Sequence, residues 1–62
     1  MATFTLKFKC DNASFDLEPG AEIARILRDI AEQVESERTI GEIAGRATDI
    51  NGNGVGEYYA IS

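Results

Sequence analysis

The chain has 62 residues, a formal net charge of −5 and a single cysteine, Cys10. A chain of this length supports one domain, residues 1–62, and buries only about 60% of its unfolded surface. One cysteine excludes an internal disulfide, and one cysteine without any histidine argues against a zinc site. No apolar run reaches the about 20 residues of a membrane helix, and the alternating N-terminus is not typical of a signal peptide. We therefore expect a protein of the cytoplasm that does not contact a membrane.

The charge is unevenly distributed along the chain. Residues 1–10 carry two lysines and no acid, residues 11–42 carry nine acids against three arginines, and residues 43–62 carry two acids against one arginine. Direct binding to nucleic acid normally needs a basic surface, so the acidic middle argues against it. It favours a basic protein partner, although solubility alone also accounts for a net negative charge.

The first part of the chain alternates between apolar and polar residues, as a half-buried strand does. One face carries Phe4, Leu6, Phe8 and Cys10, and the alternation resumes with Ala13, Phe15 and Leu17. If Asp11 and Asn12 form a two-residue loop, Phe8 faces Phe15 and Lys7 faces Asp16. We therefore predict a hairpin of two strands, residues 3–10 and 13–17, with Cys10 in the core.

The middle of the chain predicts one amphipathic helix that begins near Pro19 and frays near Ser36 to Arg38. Its apolar stripe is Ile23, Ile26, Leu27, Ile30, Ala31 and Val34. Glu18 and Glu22 lie near the positive end of the helix dipole, and Glu22 belongs to the polar face. On that face Arg25 and Asp29 are four residues apart, as are Arg28 and Glu32, so two ion pairs are expected.

Two further strands are predicted in the last part of the chain, residues 46–50 and 55–62, on either side of Asn51–Gly54. The segment before them, residues 39–45, is interpreted as a linker that inserts Ile40, Ile43 or both into the core. The predicted fold class is α+β, in the order β-β-α-β-β, with an antiparallel sheet and one helix packed on one face. The order of strands in the sheet is left open.

The spacing of Asp49, Asn51, Asn53 and Gly54 matches the start of a calcium loop. Such a loop needs a glutamate at its twelfth position, which here is Ala60. Asn-Gly pairs occur twice and favour a tight hairpin turn, in either of two registers, and Asp49 can accept backbone N–H groups two residues on. We therefore predict a turn, and no bound metal.

Catalytic chemistry is not expected. The chain has no histidine, no phosphate-binding loop and no base beside its serines or its cysteine. No cofactor is predicted either. Tyr58 and Tyr59 are adjacent on a predicted strand, so one should pack in the core while the other is free to contact a partner.

The strings FKCDNASFDLEPGAEIARILRDIAEQVES and DINGNGVGEY resemble a group of small phage and prophage accessory proteins, closest to the acidic type I-C anti-CRISPR inhibitors. The resemblance implies a non-enzymatic phage inhibitor of a bacterial type I CRISPR-Cas surveillance complex, acting in the host bacterial cytoplasm. Its partners would be protein subunits of a Cascade-like host effector, bound through an acidic surface as a partial DNA mimic. The alternative is a phage accessory or structural protein-binding module without a CRISPR target, for which a homodimer is left open.

Mimicry of DNA is expected to be partial. A helix of about 18 residues is about 27 Å long, and duplex DNA of that length carries roughly 16 charges. The acids best placed to meet a cationic surface are those without a predicted ion pair. The predicted partner-binding residues are Asp11, Glu35, Glu37 and Glu42, together with Tyr58 and Tyr59.

Overall fold

The computed structural model describes all residues, Met1–Ser62, and contains one sheet and one long helix. The strands are β1 (Thr3–Phe8), β2 (Ala44–Thr48) and β3 (Gly54–Ile61), and the helix is α1 (Pro19–Glu35). Single 3₁₀ turns cover Ala13–Phe15 and Ile40–Glu42. The sheet is antiparallel in the order β1-β3-β2. The predicted α+β class is confirmed, but the predicted order of elements along the chain, β-β-α-β-β, is matched only loosely because one predicted strand does not form.

The missing strand is the second strand of the predicted first hairpin. Asn12 caps the 3₁₀ turn instead, because its side-chain oxygen accepts the backbone N–H of Ser14 at 3.0 Å. β1 then pairs with β3, from Thr3 opposite Ile61 to Phe8 opposite Gly56. The predicted hairpin is therefore wrong, although the Phe8 and Phe15 rings are stacked, with centroids 6.5 Å apart.

Helix α1 packs through most of the predicted stripe, but Leu27 and Ala31 are exposed. Ile26 and Ile30 are buried, and Ile23 and Val34 pack beside them. Leu27 lies at the margin of the stripe and is 45% exposed, so its predicted place in the core is wrong. The helix ends at Glu35, with Ser36 as its C-cap, which agrees with the predicted fraying. The helix lacks the length and the apolar character needed to cross a membrane.

The predicted ion pairs of the helix also need correction. Arg25 forms a salt bridge with Glu22, at 2.8 Å between Nε and Oε1, and this is the one salt bridge of the chain. The pairs Arg25–Asp29 and Arg28–Glu32 are therefore not formed. Glu22 belongs to the predicted polar face of the helix but is buried, because it turns towards the loop between β2 and β3.

The core lies between α1 and the sheet and is small. Its buried members are Phe15, Ile26, Ile30, Ala47 and Tyr58. Two glycines allow close contacts within the sheet. The Tyr58 ring lies against Gly45, and a Cβ on Gly56 would overlap the Lys7 carbonyl and Phe8. Of the two linker isoleucines, Ile43 packs against the core while Ile40 is exposed. Cys10 is exposed as well, because it follows β1 rather than extending it.

The last two strands form the predicted hairpin, joined by a three-residue loop. Asp49 donates its N–H to the Asn53 carbonyl at 2.9 Å, and Gly52 donates its N–H to the Asp49 carbonyl at 3.0 Å. Gly52 has a φ of +84°, which is the left-handed position of such a loop. A bulge follows at Val55, because Thr48 pairs with Gly54 whereas Ala47 pairs with Gly56. Neither Asn-Gly pair forms a two-residue turn.

Candidate protein-binding surface

The molecule is elongated, with extents of 38 × 18 × 17 Å. The start of α1 is tied to the β2–β3 loop, because Ile50 donates its N–H to Glu22 Oε2 and Arg25 donates to the Thr48 carbonyl, both at 2.9 Å. We call this the hairpin end. The last turn of α1 and the 3₁₀ turn Ile40–Glu42 lie at the opposite end, beside the start of β2.

Three of the predicted acids come together at that opposite end, which we call the acidic end. Glu35, Glu37 and Glu42 are all exposed there. The last turn of α1 contains no basic residue, and the neighbouring Arg38 forms no salt bridge. The carbonyl end of a helix carries a partial negative charge, so it disfavours acids nearby and adds to their field. Glu35 and Glu37 therefore do not serve the stability of the helix, whereas Glu42 accepts the Arg38 N–H at 3.5 Å.

The two tyrosines point to opposite faces of the sheet, as predicted. Tyr58 is 4% exposed and donates its hydroxyl hydrogen to Gln33 Oε1 at 2.8 Å, which removes it from the surface available to a partner. Tyr59 is 42% exposed, on the face of the sheet that the helix does not cover. Its cross-strand neighbour Ala44 is only two residues from Glu42. Tyr59 therefore lies on the side of the acidic end, with the exposed Ile61 two residues further along β3.

Asp11 lies apart from the other predicted acids. It stands between Lys9, which donates its N–H to the Val55 carbonyl at 2.9 Å, and Asn12, which bonds to Asp49. Asp11 is therefore at the hairpin end. Three of the six basic residues of the chain also lie there, lining a shallow pocket of about 540 Å³: Lys7, Lys9 and Arg46. Glu57 lines the same pocket and is the cross-strand neighbour of both Lys7 and Arg46. The proposed acidic surface thus contains three of the four predicted acids.

A buried polar cluster at the hairpin end was not predicted from the sequence. Asp49 is 3% exposed and accepts hydrogen bonds from the Asn51 and Asn53 N–H groups, both at 2.9 Å, and from Asn12 Nδ2 at 2.7 Å. Burial alone raises the pKa of Asp49, but the donors on Asn53, Asn12 and Asn51 outweigh it, so the pKa lies below its usual value. The hydrogen bond from Arg25 is the main reason that the pKa of Glu22 is lowered as well.

This cluster builds the hairpin loop and does not resemble a ligand site. The Asx turn predicted for Asp49 is confirmed by its bond to the Asn51 N–H. Both Asp49 oxygens are occupied by donors from the chain, and no buried side-chain polar atom lacks a partner. In the sequence, the asparagines that follow Asp49 indicate the turn. They do not indicate the hydrogen bond from the Ile50 N–H to Glu22.

Comparisons with protein-family models, with curated proteins and with solved structures find no match for this chain. A fold of this class does not by itself indicate an activity. The acidic end and the exposed Tyr59 are the features of the structure that bear on function.

Proposed function

We propose that this protein is a non-enzymatic protein-binding module that contacts a basic surface of its partner through the acidic end. The observation that supports the proposal is the position of Glu35 and Glu37 at the carbonyl end of α1, without a basic residue in the last turn. Acids in such a position cost a helix about 0.3–1 kcal/mol each. Their presence is explained if they meet cations of another molecule.

The specific form of the proposal is an inhibitor of a bacterial type I CRISPR-Cas surveillance complex, acting in the host cytoplasm. This part rests on the resemblance to acidic type I-C anti-CRISPR proteins. The partner would be a protein subunit of the effector, at a basic surface that otherwise holds DNA. Few acids are gathered at the acidic end, so electrostatics would steer the encounter more than it holds the complex.

Apolar contact would supply much of the remaining affinity. Tyr59 and Ile61 are exposed on the uncovered face of the sheet, at 42% and 58% of their full accessible surface. Aromatic residues surrounded by polar groups are typical of the residues that dominate binding energy at protein interfaces. We therefore include Tyr59 in the proposed contact surface and leave out Tyr58, whose ring is buried.

The alternative is a phage accessory or structural module that binds a protein other than a CRISPR effector. The alternative differs from the first proposal in its partner. The half-exposed Phe4 beside the unpaired edge of β1 is the observation that favours an assembly role, since such an edge can pair with another chain.

The experiment is a target-DNA binding assay with purified type I effector complexes, at low and at moderate salt. We expect the wild-type protein to block DNA binding, and the double variant E35K/E37K to lose roughly tenfold in potency. Raising the salt should weaken inhibition by the wild-type protein, because exposed charges are screened. The matched control D11K/D16K makes the same change of charge at exposed residues of the hairpin end and should inhibit normally.

Two outcomes would contradict the proposal in different ways. If the wild-type protein affects no type I effector, the inhibitor hypothesis loses to the accessory-module hypothesis. If E35K/E37K inhibits as well as the wild-type protein at both salt concentrations, the acidic end is not the contact surface. The variant Tyr59→Ala would then test the uncovered face of the sheet alone.

A further inference from the structure

The outer edge of β1 has open backbone groups, and their identity follows from the register. Lys9 donates its N–H to the Val55 carbonyl directly opposite, which fixes which residues of this strand bond to β3. In an antiparallel pair the bonded residues alternate. Thr3, Thr5 and Lys7 therefore bond to β3, while Phe4, Leu6 and Phe8 direct their N–H and C=O groups outwards. No hydrogen bond from elsewhere in the chain reaches these outward groups.

The side chains above this edge are incompletely covered. Phe4 belongs to the face of the sheet that carries α1, with its ring 6.1 Å from that of Tyr58, yet it is 49% exposed. Leu27 is 45% exposed. It lies two residues from Arg25, or about 160° around the helix. Arg25 bonds to Thr48 of β2, so Leu27 is on the flank nearer to β1.

We propose that a second copy of this chain pairs with β1 in antiparallel orientation and forms a continuous sheet of six strands. In one register every outward N–H and C=O group of β1 forms a hydrogen bond with the second copy. This register places Leu6 opposite Leu6 of the second copy. Phe4 then faces Phe8 of the second copy on the helix side, so apolar residues meet across the junction. On the uncovered face Lys7 faces Thr5, and no like charges are directly opposed. Both helices lie on the same side of the sheet, with their Leu27 flanks towards each other.

The other edge of the sheet is less suited to the same pairing. Ile43 accepts the Ala60 N–H, so alternation directs Ala44, Arg46 and Thr48 outwards along β2. A self-pairing that uses these groups places Arg46 opposite Arg46, and like charges in direct opposition are destabilising. The Thr48 carbonyl is also occupied by Arg25. The sheet therefore has one self-complementary edge, β1, and one edge that resists self-pairing, β2. Dimerisation through β1 does not depend on a CRISPR partner.

The first test is the mass in solution, measured by sedimentation over a wide range of protein concentration. We expect the mass to rise from 6.7 kDa towards twice that value. Phe4→Lys should keep the protein monomeric at concentrations where the wild-type chain is dimeric. Ile61→Lys is the matched control, because Ile61 is similarly exposed on β3 but belongs to the uncovered face. A wild-type mass that stays at one copy, or an equal loss of dimer in both variants, would overturn the proposal.

The second test needs no substitution and reports the register directly. Amide hydrogen exchange in the monomer should alternate along β1, with Thr5 and Lys7 protected and with Phe4, Leu6 and Phe8 open. In the dimer all five amides should be protected, and dilution should restore the alternation. A dimeric mass with the alternation unchanged would show that the copies associate elsewhere, and that result would reject β1 as the interface.

Discussion

Asn12 donates its side-chain N–H to the Asp49 carboxylate at 2.7 Å and so joins two turns that are 37 positions apart. The same side chain accepts the N–H of Ser14 and begins the 3₁₀ turn after β1. Asn12 therefore holds the connection between β1 and α1 against the loop between β2 and β3. This contact joins the polar groups of the hairpin end into one hydrogen-bonded network.

Removing the Asn12 side chain is expected to destabilise the fold. Asn12→Ala leaves the buried Asp49 without one of its donors and removes the cap of the 3₁₀ turn. The expected loss is about 1–3 kcal/mol of the free energy of unfolding, measured by urea denaturation. Asn51→Ala is the control, because the Asn51 side chain is exposed and only its backbone N–H bonds to Asp49. Equal effects of the two substitutions would argue against the Asn12–Asp49 contact.

Stability is expected to fall at acid pH through the Asp49 and Glu22 carboxylates. Their pKa values are lower in the folded protein than in the unfolded chain. The stabilisation is therefore fully present above the ordinary carboxyl pKa of about 4, and it is lost as the pH falls through the lowered folded-state values. Unfolding free energies measured from neutral to acid pH should show this slope. Asp49→Asn should reduce the slope while also lowering stability at neutral pH.

Adjacent positions of α1 are expected to respond very differently to truncation. Ile26 is 1% exposed and Leu27 is 45% exposed. Ile26→Ala should cost about 2–5 kcal/mol, a large part of the stability of a small domain. Leu27→Ala should cost less than about 1 kcal/mol in the monomer. The helical stripe alone predicts that Leu27→Asp unfolds the domain, whereas its exposure predicts a cooperative thermal unfolding transition close to that of the wild-type protein.

Neutralising the acidic end is expected to change stability and binding in opposite directions. Glu35→Gln and Glu37→Gln remove charges that oppose the helix dipole, so each should stabilise the fold by about 0.3–1 kcal/mol. The same changes should weaken inhibition in the DNA-binding assay. Thermal melts and inhibition measured on the same preparations would check both signs. A loss of stability would indicate that these acids have structural partners and would contradict a binding role as the reason for their position.

Calcium is expected not to stabilise the protein. The Asp49 oxygens are held by donors from Asn12, Asn51 and Asn53, so a cation would have to break the turn in order to bind. Ala60 also stands where a calcium loop needs a glutamate. Melting temperatures with millimolar calcium and with a chelator should agree. A rise of several degrees with calcium would show that the loop rearranges around the metal.

Periodicity was sufficient to predict α1 and the β2–β3 hairpin because each depends on neighbouring residues. It was insufficient for residues 13–17, where alternation predicts a strand. Phe15 instead packs against Phe8 from a 3₁₀ turn. The choice of β3 as the partner of β1 depends on residues at the other end of the chain. Likewise, Glu22 is buried because the β2–β3 loop offers it the Ile50 N–H, which no pattern within the helix indicates.

The candidate surface was predictable to a similar extent. Alternation along β3 predicted that Tyr58 and Tyr59 face opposite ways, but only the position of α1 decides which ring is buried. The gathering of Glu35, Glu37 and Glu42 follows from their nearness in the sequence. The separation of Asp11 from them does not, because it depends on the direction in which α1 runs across the sheet.

The strand order also has a consequence for synthesis of the chain. β3 lies between β1 and β2 and is the last of the three to leave the ribosome. Until it emerges, neither of the other strands has a neighbour, and a nascent chain has only a helix whose apolar stripe is uncovered. The sheet can therefore form only once β3 is available, with long-range pairing as its slow step. Until that pairing is complete, an emerging chain presents Phe4, Leu6 and Phe8 to chaperones and proteases.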